Sequence, residues 1–318
     1  MTSFIIMITG GITLFLFGLN TLKSLLFTIT NTRFKNILTS FVNSNFKAFL
    51  FGIVATAIMQ SSSGLTAIAI VLLSSDLLNL KSTVLIILGS NVGTCITPFI
   101  FTFNIGDYSL VFIIIGYLLT ALKKNILKTL GNIIISLGLI FLGLNFLESG
   151  LNGISEASLL NSIFSLNKSP IFSLTISTLL ATILQSSSAT IAITQSLYES
   201  NIITLTNSIF FMLGANIGTT ISSYSYALNL KKEAKVAIKI NIFLNILGSL
   251  VFIIFIKYFE ILILKVGTLL KASKELTVAY SHLLFNIISS LTIFIFFDFL
   301  FNLATKKIFR VDTDLKIC

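Results

Sequence analysis

Gln60-Ser61-Ser62-Ser63 sets four polar residues in a row inside an uncharged, mostly apolar block bounded by Lys47 and Asp76. Burying such groups in hydrocarbon is costly unless they bond to something, so their position calls for a reason. The tetrad returns as Gln185-Ser186-Ser187-Ser188, in a block bounded by Lys168 and Glu199. Each block holds 28 to 30 residues. Two full helical crossings need about 40, so each block is either one long tilted span or a re-entrant hairpin of two half-helices meeting near the midplane.

The surrounding chain settles the class. Of its 318 residues 55 % are hydrophobic and 10 % charged, and the mean hydropathy is +1.02. Apolar blocks of roughly 20 residues match helical crossings, and the alternation of barrel strands is missing. The expected fold is therefore an all-α polytopic membrane protein. Phe4 to Leu22 has no basic residue before it and no small-residue cleavage site after it, so it reads as a span rather than a signal peptide. A net charge of +10 would suit a nucleic-acid binder in a soluble chain. Here the basic residues fall between apolar blocks, where they report orientation and contact with anionic lipid, and no nucleic-acid partner is expected. Cys95, Cys318 and the single His282 make neither a disulfide framework nor metal-ligand spacing.

A fixed internal offset fills most of the chain. Gly18-Leu19-Asn20 recurs as Gly143-Leu144-Asn145, the tetrads recur, and Gly89-Ser90-Asn91-Val92-Gly93-Thr94 recurs as Gly214-Ala215-Asn216-Ile217-Gly218-Thr219, every pair 125 residues apart. Duplication of one unit explains it, with 1–125 as the first copy, 126–256 as the second, and 257–318 as an interfacial segment, a final span and a short cytoplasmic tail. Loop charge chooses between span and hairpin. If blocks 48–75 and 171–198 are re-entrant, the basic segments Lys23 to Lys47, Lys123 to Lys128, Lys231 to Lys235 and Lys306 to Arg310 fall inside. Asp107 and the loop with Glu148 and Glu156 then fall outside, as the positive-inside rule asks, with the basic segment Lys257 to Lys274, also outside, as the one exception. Seven spans remain, near 4–22, 82–101, 108–122, 129–147, 203–226, 236–256 and 279–302. Three crossings separate equivalent points, so the copies are inverted, an architecture in which secondary transporters place their site where broken helices meet. The N-terminus is expected outside and the C-terminus in the cytoplasm.

The tetrads offer carboxamide and hydroxyl oxygens as ligands, and free backbone N–H groups if each opens a half-helix. A helix N-terminus suits an oxyanion, while hydroxyl and carbonyl oxygens suit a hard cation such as Na⁺. The candidate binding residues of the first copy are Gln60, Ser61, Ser62, Ser63, Thr66, Asn91 and Thr94. Those of the second are Gln185, Ser186, Ser187, Ser188, Thr190, Asn216, Thr219 and Thr220. A serine cluster in a membrane helix also serves as a packing surface, but two copies at one spacing favour a site. Neither block contains Asp, Glu, Lys, Arg or His. A bound anion would then be neutralised by co-bound cations and helix dipoles, a proton relay lacks its carboxylate, and a catalytic serine lacks its base.

These residues resemble the type II sodium/phosphate cotransporter family and its bacterial relatives. The resemblance rests on the paired Gln-Ser-Ser-Ser tetrads, on Gly214-Ala215-Asn216-Ile217-Gly218-Thr219-Thr220 and its first-copy form Gly89 to Cys95, on Leu14 to Gly18 and on His282 to Asn286. It implies Na⁺-coupled uptake of inorganic phosphate across the cell membrane by a form without the PhoU-like domain. It also implies phosphate and sodium sites at the tetrads, and Na⁺ as coupling ion with no other cofactor.

Overall fold

The computed structural model of the chain describes residues 2–41, 44–103, 106–122, 124–155 and 169–309, and among them every regular element is helical. The first helix, α1 (Thr2–Phe41), is continuous over 40 residues, about 60 Å. No glycine or proline occurs after Gly18 to stop it. The basic segment with Arg33 and Lys35, expected as a loop, therefore continues the helix.

The first tetrad breaks its block in two. α2 (Asn45–Met59) and α3 (Ser62–Ser74) have 15 and 13 residues, roughly 20 Å each and about half a crossing. Gln60 takes a left-handed φ of 53° that ends α2, and Ser61 caps α3 by accepting the Gly64 N–H at 3.1 Å. Next come α4 (Leu80–Gly93) and α5 (Ile96–Phe101), one apolar path interrupted at Thr94-Cys95. Pro98 has no N–H to give the Thr94 carbonyl, which accepts instead from Thr97 N at 3.3 Å. α6 (Ser109–Thr120) has 12 residues and buries only Ser109 and Gly116. α7 (Asn125–Ser155) continues into the segment expected as a loop from 148, and the rest of that loop, 156–168, lies outside the described residues.

The second tetrad repeats the first hairpin. α8 (Pro170–Leu184) ends at Gln185 with φ 51°, and Ser186 caps α9 (Ser187–Glu199) by accepting the Ala189 N–H at 3.2 Å. Then follow α10 (Leu205–Ser223), α11 (Lys232–Ile254), α12 (Ile256–Leu269), α13 (Lys274–Ile295) and α14 (Phe297–Phe309). α12 covers most of the segment expected from 257 as interfacial, burying Phe259 and Ile263 while Tyr258, Ile261 and Leu264 stay exposed. The final span, expected at 279–302, is split at Phe296. The tail after Phe309 lies outside the described residues.

Among the described residues five helices are long and apolar enough to cross a membrane, against seven spans expected. The two that fall short do so for different reasons. α6 is short. α10 is polar, carrying Asn207, Ser208, Asn216, Thr220, Ser222 and Ser223, all buried; a helix enclosed by other helices need not be apolar. The path α4–α5 also shows how the hairpins point. At its first end Lys81 meets Asp298 at 2.7 Å, and the chain leaving α3 brings Asp76 to Lys231 at 2.6 Å. At its other end Phe101 shares a cavity with Glu199, the last residue of α9. The two hairpins thus open at opposite ends of the bundle.

Glycines bring each hairpin against its neighbour. A Cβ at Gly89 or Gly93 of α4 would strike the Phe49 or Ile53 carbonyl oxygen of α2, and one at Gly214 or Gly218 of α10 would strike the Leu174 or Thr178 carbonyl oxygen of α8. The repeated Gly-x-Asn-x-Gly spacing is therefore first a backbone-to-backbone packing device. Gly89→Ala and Gly218→Ala are each expected to cost about 1–3 kcal/mol, read as a lower melting midpoint of the purified protein in detergent. Gly10→Ala, with nothing within 4 Å of the added carbon, should not lower it.

Candidate functional site

The hairpin tips meet. The Ser63 hydroxyl donates to the Gln185 carbonyl oxygen at 3.2 Å, joining residues far apart in sequence. Beside this contact lies a cavity of about 20 Å³ lined by Ser62, Ser63 and Thr66 of α3, Ile87, Ser90 and Asn91 of α4, Thr219, Thr220 and Ser223 of α10, and Asn241 of α11. It has room for one water-sized occupant. Six of the residues singled out from the sequence converge here: Ser62, Ser63, Thr66, Asn91, Thr219 and Thr220.

The hydrogen bonding sets the polarity of this cavity. Ser90 donates its hydroxyl proton to the Ile87 carbonyl at 2.6 Å, Thr219 to Ala215 at 2.7 Å, Thr220 to Ile217 at 2.8 Å and Ser223 to Thr220 at 2.6 Å. A hydroxyl whose proton is held by its own helix has only lone pairs left to offer. The wall is thus rich in neutral oxygen acceptors. Among the described residues no group of three or more His, Cys, Asp and Glu side chains could hold a metal ion. Such a wall suits a small hard monovalent cation better than a divalent or a soft one. Behind it, Asn91 Nδ2 donates to Asn245 Oδ1 at 3.2 Å and Asn245 Nδ2 donates to Asn241 Oδ1 at 3.0 Å, a carboxamide chain that fixes the two lining asparagines.

The remaining candidates lie outside this cavity. Ser61 and Ser186 are spent on the helix caps. The Gln60 carboxamide accepts from the Thr97 hydroxyl at 2.6 Å and donates to the Ala57 carbonyl at 2.6 Å, while Gln185 Oε1 accepts from the Tyr226 hydroxyl at 3.1 Å. Each glutamine therefore pins its tip to a neighbouring segment. Thr94 donates to the Ser90 carbonyl and Asn216 to the Met212 carbonyl. Ser187, Ser188 and Thr190 are buried in the first turn of α9.

Ser90, Ser223, Asn241 and Lys23 were not among the candidates. Ser90 lies within the repeated motif and Ser223 one turn past it, and Asn241 with Asn245 forms a polar pair one turn apart in an apolar helix. Lys23 carried no local signal. It was assigned to a loop on the inner side, yet its Nζ donates to the Ser186 hydroxyl at 2.8 Å, so the second tip does have a cationic neighbour. Toward the other end of the bundle, a cavity of about 300 Å³ is bordered by Asp107, Glu148, Glu199 and Glu275.

Two oppositely directed broken hairpins, touching tip to tip inside a helical bundle, define a polytopic membrane protein of the re-entrant hairpin class. The model of the Na⁺/Pi-cotransporter family matches residues 14–149 and again 143–276, and the chain belongs to that family. Membership makes it a transporter, with Na⁺ and phosphate as its cargo in general terms. No curated protein and no solved structure matches the chain significantly.

The carboxamide chain gives a direct check. Asn245→Leu strands Asn91 Nδ2 and removes a donor to Asn241, which should cost about 1–3 kcal/mol of stability, measured as thermal melting in detergent. Asn245→Gln, which keeps both groups, should cost less.

Proposed function

We propose that the chain imports inorganic phosphate with Na⁺ across the cell membrane by alternating access around the two hairpin tips, its C-terminus on the cytoplasmic side. The observation that carries this reading is the Ser63 to Gln185 contact between tips that enter from opposite ends. A site at such a contact reaches one side when one hairpin withdraws and the other side when its counterpart does. The small oxygen-lined cavity is the sodium seat in this reading, with Ser62, Ser63, Thr66, Asn91, Thr219 and Thr220 as ligand candidates. The anion is received by the first turns of α3 and α9, where Ser62, Ser63, Ser187 and Ser188 supply hydroxyls and the helix ends supply N–H groups and positive potential. The cavity beside the tip contact is small, and in this reading phosphate binds as the tips part. Gln60 and Gln185 hold the tips in register, and the cap serines Ser61 and Ser186 keep the half-helices formed.

Radiolabelled phosphate uptake into proteoliposomes tests this. Uptake should rise with an inward Na⁺ gradient and fall to background when choline replaces Na⁺; uptake indifferent to the gradient removes the coupling. Thr220→Val should raise the Na⁺ concentration for half-maximal uptake about tenfold, the scale of one charge-assisted ligand, while changing the phosphate KM at saturating Na⁺ much less. Ser63→Ala should slow uptake by a similar factor. Sulfate competing as well as phosphate would reassign the anion.

A further inference from the structure

Lys23 of α1 touches the second tip, and its helix runs on to the first. One turn before it on α1, the buried Leu19 packs in a cluster with Ala189 and Ala192 of α9, behind the second tip. One turn after it, the Phe27 ring lies against Gly64 in the first turn of α3, about 3.1 Å from where a Cβ would stand. The same stripe of α1 therefore touches both half-helices that start at the tetrads. From the middle of that stripe the Lys23 ammonium reaches Ser186 Oγ at 2.8 Å, and Ser186 is itself buried.

Among the described residues no carboxylate pairs with this ammonium: Lys81 meets Asp298 and Lys231 meets Asp76, and Lys23 belongs to neither pair. Its partner Ser186 is neutral and caps the N-terminus of α9, the positive end of a helix dipole. A cation, a helix N-terminus and, across the tip contact, a second helix N-terminus add potentials of one sign. The Lys23 side chain is half-buried beside the second tip, and a mobile anion is the counter-charge that fits it there.

We infer that Lys23 is a fixed positive charge of the anion site, contacting a tetrahedral oxyanion that the tips receive, and so doing part of the neutralisation that sodium alone would otherwise do. This deepens the phosphate-transport reading and rests on it. With the charge built into the chain, phosphate binding depends less on co-bound Na⁺. Lysine carries such a charge as a flexible point with three donors, able to keep Ser186 while turning another N–H to the anion.

The test is the phosphate KM of Lys23→Gln, Lys23→Met and Lys23→Arg in proteoliposomes at two Na⁺ concentrations, on protein that elutes as a single species. Lys23→Gln keeps an N–H donor on a side chain one bond shorter but has no charge. The inference expects both neutral variants to raise the phosphate KM about tenfold or more, the scale of a lost charged hydrogen bond, with part of the loss recovered at the higher Na⁺. Lys23→Arg should stay within about threefold of wild type. A Lys23→Gln protein with the wild-type KM, or with a lower maximal rate alone, overturns the inference and leaves the transport reading standing. Wild-type protein that takes up no phosphate at any Na⁺ concentration overturns the reading itself.

Discussion

Every polar backbone group inside a bilayer must find a partner within the protein, and the two broken hairpins depend on meeting that constraint. A helix that stops at half depth leaves first-turn N–H groups and last-turn carbonyls with no water to take them. The chain answers with residues of its own. Ser61 and Ser186 close the starts of α3 and α9, Thr97 and Tyr226 hold the glutamine carboxamides, and Ser63 of one tip takes the Gln185 carbonyl of the other. The left-handed glutamines are tolerated in that setting. A non-glycine residue at φ near 50° costs on the order of 1 kcal/mol, which the side-chain bonds offset.

Duplication has not kept the two tips alike. The oxygen-lined cavity draws Ser62, Ser63 and Thr66 from the first tip, whereas the corresponding serines of the second are buried in the first turn of α9. Conversely the second tip has a lysine on its capping serine. At the position corresponding to Lys23 the second copy carries Glu148, which borders the acidic cavity toward the other end of the bundle. Equivalent places in the two copies thus carry opposite charge.

Much of this was legible before any coordinates. A block of 28 to 30 residues between charges cannot hold two crossings, and the loop charges then chose a hairpin over one long span. Hidden features were those set by tertiary enclosure. The span read at 203–226 forms a helix, α10, but its many hydroxyls are tolerated because other helices enclose it, which the sequence does not show. The end of α1 looked like a loop because basic residues mark membrane exits, yet charge does not stop a helix that lacks glycine and proline. Lys23 was unreadable for a geometric reason: its partner lies on the other copy, and nothing in its own turn of helix announces which face meets it. The capping role of Ser61 and Ser186 was equally hidden, since four polar residues in a row do not say which is the cap.

The glycine contacts bear on what can move. Where carbonyl oxygens of α2 lie against bare α-carbons of α4, and those of α8 against α10, sliding one helix past its mate would drive side chains into backbone. Each of these pairs is therefore a stiff girder, and relative displacement falls to the contacts around the girders, among them the single hydrogen bond from Ser63 to Gln185. The machine has few moving parts, and its hinge lines run around the girders rather than through them.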